Sequence, residues 1–374
     1  MATPVGLDLD TFWSGLLAGS DGISAIERIP VEDLRVGRGG EIKKLPPVAA
    51  GVRSRAAALL IAAAADLKAR AGLDAAPERI AVVVGTALGG VEELEHALDG
   101  DDSPRRALDA LYDAPAHALA AWLGAEGAAI TVSSACASSA TALGVGADLL
   151  REGEADLVVA GGYDILCRFV LRGFDALRSL TRDRVRPFDR RRSGLLLGEG
   201  AGLVLLAREP DAPGRRLGRL LGHGSASDAS HIAAPDPQGR GLERAIHAAL
   251  DAAGVEAGAL DFVSAHGTGT PLNDRIETAV LRRVLGARAE QVPVNSIKGA
   301  LGHTMGAAAA LEAIMCLLAA RDGWLPPTVG YEEPDPDCTL DYVPGASRAA
   351  RPRLMLSTSL GFGGCNAALV LEGP

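Results

Sequence analysis

One strand–turn–helix pattern occurs twice in the chain, and this repetition constrains the fold more than any other feature. Residues 129–134 (AITVSS) form a short apolar run that leads into a helix of small residues. Residues 292–296 (VPVNS) lead in the same way into a second small-residue helix, 305–320. A supersecondary unit present in two copies predicts two similar halves that stack face to face.

Short apolar runs alternate with longer helical patterns along the rest of the chain. This alternation is typical of an α/β fold with largely buried sheets. The predicted strands are 80–85, 129–133, 157–160, 202–206, 262–265, 292–296, 354–359 and 367–371. The predicted helices include 53–71, 137–152, 241–253, 277–285 and 305–321.

The chain has 374 residues, which is more than one hydrophobic core usually serves, since cores stop growing near about 250–300 residues. The segment 208–216 contains Pro210 and Pro213 and is the best internal boundary, because prolines interrupt regular structure. We therefore predict an N-terminal half, residues 1–210, and a C-terminal half, residues 211–374.

The formal net charge of −10 argues against nucleic-acid binding, because contacts to phosphates need a clustered basic surface. One basic cluster does occur, between Arg178 and Arg192. It is consistent either with a solvated loop or with a docking site for an acidic partner.

Cysteine usage and hydropathy together indicate a cytoplasmic protein without a membrane anchor. An odd, scattered set of cysteines with no CxxC pair suits a reducing compartment. The longest apolar stretch, 56–65, has only about ten residues, too few to cross a bilayer. The five cysteines are Cys136, Cys167, Cys316, Cys338 and Cys365.

Cys136 lies where the first repeated strand turns into its helix. A sharp turn of this kind exposes a side chain at the end of the sheet, as in the serine elbow of hydrolases. The unpaired N–H groups and dipole of a helix N-terminus favour a thiolate, so we expect a lowered pKa for this thiol. A lone cysteine is usually a small buried hydrophobic residue, but this position favours a nucleophile. The other four cysteines are interpreted as structural.

Two histidines complete a candidate site with Cys136. His266 follows a predicted strand in a loop rich in glycine and threonine, and His303 precedes the second small-residue helix. Each alone is equally consistent with a structural histidine, but together with Cys136 they occupy equivalent ends of the repeated units. The chain has no HExxH motif or paired-cysteine spacing, and the two histidines are far apart in sequence. We therefore predict no metal site.

Six stretches along the chain carry a family resemblance. In chain order they are 132–139 (VSSACASS), 186–189 (RPFD), 197–202 (LGEGAG), 265–274 (AHGTGTPLND), 294–309 (VNSIKGALGHTMGAAA) and 359–366 (SLGFGGCN). In these stretches the chain resembles the β-ketoacyl-acyl-carrier-protein synthases, the elongating ketosynthases of fatty-acid and polyketide assembly, which have the thiolase fold. The resemblance spans nearly the whole chain.

The resemblance implies an α/β thiolase fold in which two similar halves stack as a layered αβαβα sandwich. It also implies a role for each of several residues. The implied catalytic residues are Cys136, His266, His303 and Lys298. The implied supporting residues are Glu312, paired with Lys298, and Asp274, which steadies the His266 loop. The implied oxyanion hole consists of the backbone N–H groups of Cys136 and Phe362.

Substrate contacts are implied in the same way. Thr268 and Thr270 would contact the phosphopantetheine arm of an acyl carrier protein. Leu88, Phe174 and Leu360 would line the acyl pocket. For docking of the acidic carrier, the candidate contacts are Arg53, Arg55 and Arg178.

The reaction implied by the resemblance is a decarboxylative Claisen condensation. An acyl group held on Cys136 would combine with malonyl-acyl carrier protein to give a β-ketoacyl carrier, in fatty-acid or polyketide biosynthesis. No cofactor is expected beyond the phosphopantetheine of the carrier. The implied partners are the carrier and a second subunit, either a copy of this chain or a related ketosynthase or chain-length-factor subunit.

Two alternatives remain open. The chain could be a non-catalytic subunit resembling a chain-length factor, although such subunits need none of Cys136, His266 and His303. It could also be an acyltransferase or hydrolase that uses the same thiolate without condensation. The loop with Lys298 and His303 argues against this second alternative.

The beginning of the chain departs from the family pattern. Family members have a strand ahead of the stretch that matches residues 3–13 (TPVGLDLDTFW). We expect this strand to lie inside the sheet with a neighbour on each side. The expectation is therefore that the functional protein starts upstream of Met1 by about five to ten residues.

Overall fold

The computed structural model describes residues 1–48, 52–101, 103–212 and 216–374. The α-helices are α1 (Leu9–Leu17), α2 (Arg55–Arg70), α3 (Val91–Leu98), α4 (Pro104–Asp109), α5 (Ala114–Leu123), α6 (Ser138–Arg151), α7 (Arg168–Ala176), α8 (Arg240–Ala253), α9 (Pro271–Leu285), α10 (Lys298–Leu301) and α11 (Ala308–Asp322). The strands are β1 (Ser24–Ala25), β2 (Arg38–Gly39), β3 (Ile80–Gly85), β4 (Ala129–Val132), β5 (Leu157–Asp164), β6 (Gly200–Ala207), β7 (Arg219–Ser227), β8 (Phe262–Ser264), β9 (Val294–Asn295), β10 (Trp324–Leu325), β11 (Arg348–Ala349), β12 (Leu354–Gly361) and β13 (Cys365–Glu372).

The two main sheets have matching strand orders, and the second has one strand more. The first has the order β4-β3-β5-β6 and the second β9-β8-β12-β13-β7. In each sheet the first three strands are parallel and the next is antiparallel to them. The repeated units β4–α6 and β9–α11 occupy matching places, so the predicted pair of similar halves is confirmed.

Five layers make up the molecule. Helices α2 and α5 cover the outer face of the first sheet, and α8 covers the outer face of the second with α9 packed beside it. Between the sheets, α6 contacts β3 and β5 of the first sheet and β7 of the second, while α11 contacts β6 and β12. The predicted layered αβαβα thiolase sandwich is therefore confirmed, and its two repeated helices form the central layer.

Small residues allow the central layer to be thin. Helix α6 buries Ala140, Ala142 and Gly144, and α11 buries a continuous alanine run. Because alanine and glycine carry little side chain, the two helices and both sheets approach closely without large rings.

Strand β7 was absent from the sequence-based prediction. Gly222 and Gly224 interrupt its apolar pattern, and glycine normally weakens a strand. Here the glycines admit helix α8, because a Cβ on Gly222 would lie 2.3 Å from the Ala249 carbonyl oxygen, and one on Gly224 would lie 2.2 Å from that of Ala245. The tertiary contact thus outweighs the local preference.

The predicted helices were right in place but incomplete. Helix α9 begins at Pro271, six residues before the predicted start. Proline interrupts the interior of a helix, but at the first helical position it costs no hydrogen bond. Helices α1, α3, α4, α5, α7 and α10 were not predicted.

The internal boundary at 208–216 lies between β6 and β7. All strands of the first sheet precede it and all strands of the second follow it. Residues 213–215, including Pro213, lie outside the described residues. The division into halves at 210 and 211 stays a prediction.

The first residues of the described chain lie beside β6, the edge strand of the first sheet. In the C-terminal half the first strand, β7, lies at the edge beside β13. The corresponding place in the N-terminal half is the edge beside β6, where Ala2 and Ala201 exchange two backbone hydrogen bonds of 2.9 Å. The interior strands β3 and β5 already have neighbours on both sides, so the expected interior position is wrong, while the existence of a strand ahead of Met1 stays a prediction.

No helix in the described parts of the chain is both long and apolar enough to cross a membrane.

Candidate active site

Cys136 lies in a tight turn between β4 and α6. The preceding Ala135 has a positive φ of 51°, a backbone conformation that non-glycine residues adopt only when surrounding contacts hold them. Ser138 provides such contacts, since its Oγ accepts a hydrogen bond from the Ser134 N–H (2.9 Å) and donates one to the Ala135 carbonyl (2.6 Å). The structure therefore has the sharp elbow that the sequence predicts.

The thiol of Cys136 does not have the lowered pKa that we expected from the helix N-terminus. Burial raises the pKa of Cys136 to about 12, against opposing effects of the Lys298 charge and the Phe362 N–H. Only 6% of the residue is exposed. Removing the thiolate from water outweighs the favourable dipole, so the resting group is the thiol.

His303 contacts the nucleophile directly. Its Nε2 lies 3.0 Å from the Cys136 Sγ. Its Nδ1 accepts a hydrogen bond from the Met305 N–H at 3.3 Å. Because Nδ1 accepts, a neutral ring carries its proton on Nε2, which faces the sulfur.

His266 completes the group from the other side. Its ring lies edge-on to that of His303, with centroids 5.1 Å apart. Burial, followed by the charge of Lys298, lowers the pKa of both imidazoles well below the usual range. Both rings are therefore neutral at physiological pH, and each can offer one N–H.

The loop that carries His266 is held by a carboxylate that the sequence analysis missed. Glu277 is fully buried and accepts hydrogen bonds from the N–H groups of His266 and Gly267, each at 2.8 Å. The Thr358 hydroxyl donates to the same carboxylate at 2.7 Å. Glu277 lies on α9, three residues beyond Asp274, the last residue of the motif 265–274. The sequence signal that could have indicated it is this spacing, because residues three apart lie on the same face of a helix.

Lys298 and Glu312 form a buried ion pair behind the two histidines, with side chains 2% and 1% exposed. Glu312 lies on α11, where the sequence predicts it. The positive charge of Lys298 is within the electrostatic reach of both imidazoles and opposes their protonation.

Two backbone N–H groups face the thiol. The N–H groups of Phe362 and of Cys136 itself both point at the Cys136 sulfur and lower its pKa against the effect of burial. Phe362 lies in the turn between β12 and β13, where Gly363 has a φ of 78°. The structure thus brings together the two donors expected for an oxyanion hole.

Asp274 and the two threonines lie in or beside the His266 loop. Asp274 is fully buried and accepts hydrogen bonds from the N–H groups of Phe188 (2.7 Å) and Gly269 (3.2 Å). The hydroxyls of Thr268 and Thr270 are 3.0 Å apart. Both threonines therefore lie in the loop that carries His266, with their hydroxyls in contact.

The three predicted pocket residues do not form one group. Leu88 and Phe174 pack in the same apolar cluster, which also contains Met305. The Phe174 ring stacks on that of Phe362, with centroids 5.3 Å apart. Leu360 belongs to a different cluster in the core of the C-terminal half, so the structure does not place it with the other two.

Arg55 is not a surface residue available for docking, which corrects the prediction. Its guanidinium pairs with the buried Glu199 at 2.5 Å and donates to the Ile42 carbonyl at 2.7 Å. Only 16% of its side chain is exposed. Arg53 and Arg178 are exposed.

The basic cluster between Arg178 and Arg192 is largely neutralised by one acidic segment. Its arginines pair with Glu332 and Asp335. Within the described residues, Arg178 has no ion-pair partner. These ion pairs do not support a docking function for the whole cluster. Arg178 remains a candidate for docking, because it lies two residues beyond α7, which carries Phe174. The paired arginines are Arg184, Arg186, Arg191 and Arg192.

The fold also gathers potential metal ligands. One donor atom from each of Cys136, His266 and His303 lies within 4.8 Å of the others. Distance in sequence was therefore a poor argument against a metal at this position. A second group, Glu92, Glu93 and His96, has similar spacing, but Arg28 and Arg106 already neutralise its two carboxylates.

Comparison with family models identifies the family to which this arrangement of residues belongs. The model of the β-ketoacyl synthase N-terminal domain matches residues 1–212, and that of the C-terminal domain matches residues 217–332. This chain is a β-ketoacyl synthase. It is thus a condensing enzyme of the acyltransferase class with the thiolase fold, as the sequence motifs predict.

Curated relatives of this β-ketoacyl synthase match over nearly their whole length. The tetracenomycin polyketide synthase ketoacyl synthase alpha subunit of Streptomyces glaucescens is 38% identical, with 99% of this chain and 95% of the relative covered. A 3-oxoacyl-[acyl-carrier-protein] synthase 2 of Staphylococcus aureus is 34% identical, with 99% and 98% covered.

Solved structures agree closely with the fold of this synthase. The ishigamide ketosynthase/chain length factor is 35% identical with a TM-score of 0.93, and 100% of this chain and 96% of that chain are covered. A type II polyketide ketosynthase in complex with its acyl-carrier protein, AntDE:AntF, is 26% identical with a TM-score of 0.91, and 100% and 97% are covered.

Proposed function

We propose that this synthase holds a growing acyl chain on Cys136 and extends it with a malonyl unit delivered by an acyl carrier protein. The main support is the contact of 3.0 Å between the Cys136 Sγ and the His303 Nε2, with the His266 ring 5.1 Å from that of His303. A nucleophile with two neutral N–H donors suits condensation, because that reaction develops negative charge on two different oxygens.

The first half-reaction transfers the acyl group. The Cys136 sulfur attacks the thioester carbonyl of the acyl carrier, and the carbonyl oxygen receives hydrogen bonds from the N–H groups of Cys136 and Phe362. The bond to the carrier sulfur then breaks. The proton of the Cys136 thiol ends on the departing carrier thiol, so neither histidine needs to change its charge.

The second half-reaction forms the carbon–carbon bond. The malonyl carboxylate leaves as carbon dioxide, and its bonding electrons form an enolate whose oxygen is stabilised by the N–H groups of His266 and His303. The enolate carbon attacks the acyl carbonyl on Cys136. The β-ketoacyl carrier is released, and the Cys136 thiolate takes up one proton to restore the thiol.

The neutrality of the histidines is maintained by their surroundings. Lys298 keeps a positive charge close to both rings, so a protonated imidazole would add a second buried cation. Glu312 balances the Lys298 charge. We propose that this pair sets the protonation state of the site and does not itself contact the substrate.

The partners follow from the relatives and from the charges around the site. We propose that the carrier approaches beside Phe174 and Phe362, places its phosphopantetheine arm along Thr268 and Thr270, and contacts Arg178. The structural relative that is a ketosynthase/chain length factor favours pairing with a related subunit over self-association. A type II polyketide pathway in the cytoplasm is the assignment that we favour.

The two alternatives predict different products. A subunit like a chain-length factor would give no condensation alone, and the intact site of Cys136, His266 and His303 argues against it. A simple acyltransferase would move an acyl group without releasing carbon dioxide.

The test is incubation with malonyl-loaded carrier and acyl carriers of increasing chain length, followed by intact-mass analysis. We expect β-ketoacyl carrier and one carbon dioxide for each extension. The Cys136→Ala variant is the matched control. Acyl transfer without carbon dioxide would contradict condensation, and activity that appears only on adding a related subunit would establish the heterodimer.

A further inference from the structure

Asp164, the last residue of β5, lies at the junction of the two halves, yet it has no part in the reaction described above. Its side chain is fully buried, with 0% exposed. Burying a carboxylate is costly unless hydrogen bonds compensate. The contacts that compensate here join two functional loops.

Each oxygen of Asp164 accepts two hydrogen bonds. Oδ1 accepts from the Thr86 hydroxyl (2.7 Å) and from the Leu88 N–H (3.0 Å). Oδ2 accepts from the N–H groups of Ala87 (2.9 Å) and Gly306 (2.6 Å). Three donors belong to the loop that carries Leu88, and the fourth belongs to the segment that follows His303 in the other half.

The contact with Gly306 fixes the backbone that orients His303. Met305, immediately before Gly306, has a positive φ of 50° and donates its N–H to the His303 Nδ1. A strained residue keeps such a conformation only while its neighbours are held. The approach is close, since a Cβ on Gly306 would lie 2.7 Å from the Asp164 Oδ2.

On the opposite side, Asp164 fixes the loop that carries Leu88. Leu88 packs in the same apolar cluster as Phe174 and Met305, so an acyl chain against Leu88 would press on the backbone that Asp164 holds. The Thr86 hydroxyl adds to this support by accepting from the Gly89 N–H at 2.9 Å.

Asp164 does not activate the nucleophile. Its negative charge raises the pKa of the Cys136 thiol, which opposes formation of the thiolate. The charge of Asp164 therefore opposes the first half-reaction. The presence of a carboxylate at this position must be explained by its hydrogen bonds to the two loops.

We propose that Asp164 is a positioning residue that couples the acyl-pocket loop at Leu88 to the orientation of His303. Through this carboxylate, the position of the pocket wall sets the hydrogen bond from Met305 to the His303 Nδ1. The inference rests on the proposed function in so far as Leu88 lines the acyl pocket.

Asp164→Asn tests the coupling, because an amide places an N–H₂ group against two of the four donors. In a Cys136→Gln background, which cannot hold an acyl chain, we expect decarboxylation of malonyl carrier to fall about 10–100-fold, the loss typical of a displaced catalytic group. In the background with intact Cys136, acylation by a two-carbon thioester should change less than about threefold, and the loss of condensation kcat should grow with acyl chain length.

A spectroscopic readout does not depend on turnover. With ¹⁵N-labelled histidine, and with His303 assigned by the His303→Gln variant, the original protein should show the neutral tautomer with the proton on Nε2. Asp164→Asn should shift the His303 nitrogens toward a mixture of tautomers. This result would stand even if condensation itself were not observed, so failure of the proposed function and failure of the coupling can be told apart.

Two further variants separate positioning from stability. Asp189→Asn removes a matched carboxylate, fully buried and bound by the N–H groups of Arg191, Glu332 and Glu333. It should lower the melting temperature without changing the His303 tautomer. Thr86→Ala removes one of the four donors and carries the test if Asp164→Asn does not fold. An unchanged tautomer together with a kcat loss that is independent of chain length would overturn the proposal.

Discussion

The reaction centre and its entrance are built in opposite ways. At the centre, Cys136, His266, His303 and the Lys298–Glu312 pair are almost wholly buried and come from both halves. At the proposed entrance, Phe362 is 37% exposed, and its ring stacks on Phe174. We propose that the exposed Arg178 also belongs to this entrance.

This contrast has an energetic consequence. In the interior a charge or donor cannot be replaced by water, so its loss leaves an unsatisfied partner. At the surface water and salt take over most of the interaction. The effects of substitution should therefore fall steeply from the centre to the entrance.

The largest effect should follow removal of the nucleophile. Cys136→Ala should reduce condensation by at least about a thousandfold, since no other group can hold the acyl chain. Intact-mass analysis after incubation with an acyl thioester should show one adduct on the original protein and none on the variant. Acylation that persists in the variant would show that another residue is the nucleophile and that the buried centre described here is not the reaction centre.

Removing the positive charge of Lys298 should have the next largest effect. Lys298→Met leaves the buried Glu312 unpaired, and breaking a buried ion pair costs about 3–5 kcal/mol. Arg151→Ala is the exposed counterpart, because Arg151 and Asp148 are 69% and 57% exposed, and it should cost about 0–1 kcal/mol. Denaturant titrations of both variants give the free energies of unfolding, and equal costs would remove the contrast between interior and surface.

The histidines should affect decarboxylation separately from acylation. In the Cys136→Gln background, adding His303→Ala should slow carbon dioxide release about a hundredfold, because one donor to the enolate oxygen is lost. Acylation of intact Cys136 by a small thioester should fall much less in a His303→Ala variant. Decarboxylation at the original rate would show that His303 does not contact the enolate.

The central side chains could largely be predicted from the sequence, whereas the buried carboxylates that hold the loops around them could not. Cys136, His266 and His303 stand in contiguous motifs at strand ends, where local geometry and the resemblance agree. Glu277 and Asp164 lie outside those motifs, and their contacts depend on backbone groups that only the folded chain brings near. The same limit produced the error at Arg55, which looks exposed in sequence but pairs with Glu199 across the core.

The prediction of a lowered pKa for the Cys136 thiol was wrong for a related reason. A helix N-terminus can be seen in a sequence, but the depth of burial cannot. At Cys136 the burial decides the direction, with a pKa of about 12. Strand β7 shows the opposite case, in which glycines that weaken a strand locally are required for the packing of α8.

The pH dependence should distinguish the thiol from the histidines. Between pH 7 and 9 the thiolate fraction of Cys136 stays small and rises about tenfold per unit, so acylation by a small thioester should rise with pH. Decarboxylation in the Cys136→Gln background should be nearly constant from pH 8 to 6, because both imidazoles are already neutral. A fall in decarboxylation centred near pH 6.5 would show that a histidine protonates there.

The same histidines should make the protein less stable in acid. The unfolded chain takes up protons on these residues below about pH 6.5, whereas the folded chain, with lowered pKa values, does not. The unfolded state then binds more protons, so the free energy of unfolding decreases as pH falls from about 6.5. A double His266→Gln, His303→Gln variant should lose less stability over this window, as measured by denaturant titration at pH 7 and pH 5.5.

The smallest effect should be found at the entrance. Arg178 is exposed and lies just beyond the helix that carries Phe174, so a charge reversal, Arg178→Glu, should weaken docking of an acidic carrier. An exposed contact contributes about 0–1 kcal/mol, which corresponds to an increase in KM for the carrier of at most about fivefold. The increase should shrink at high salt, and kcat/KM for a small thioester should not change. Arg53→Glu is the comparison variant, because Arg53 is also exposed and is also a candidate docking residue, but it lines a separate cavity of about 380 Å³ between α2 and α5. A smaller effect of Arg53→Glu would restrict docking to the region of Arg178, whereas equal effects would mean that the contact with the carrier is not confined to that region.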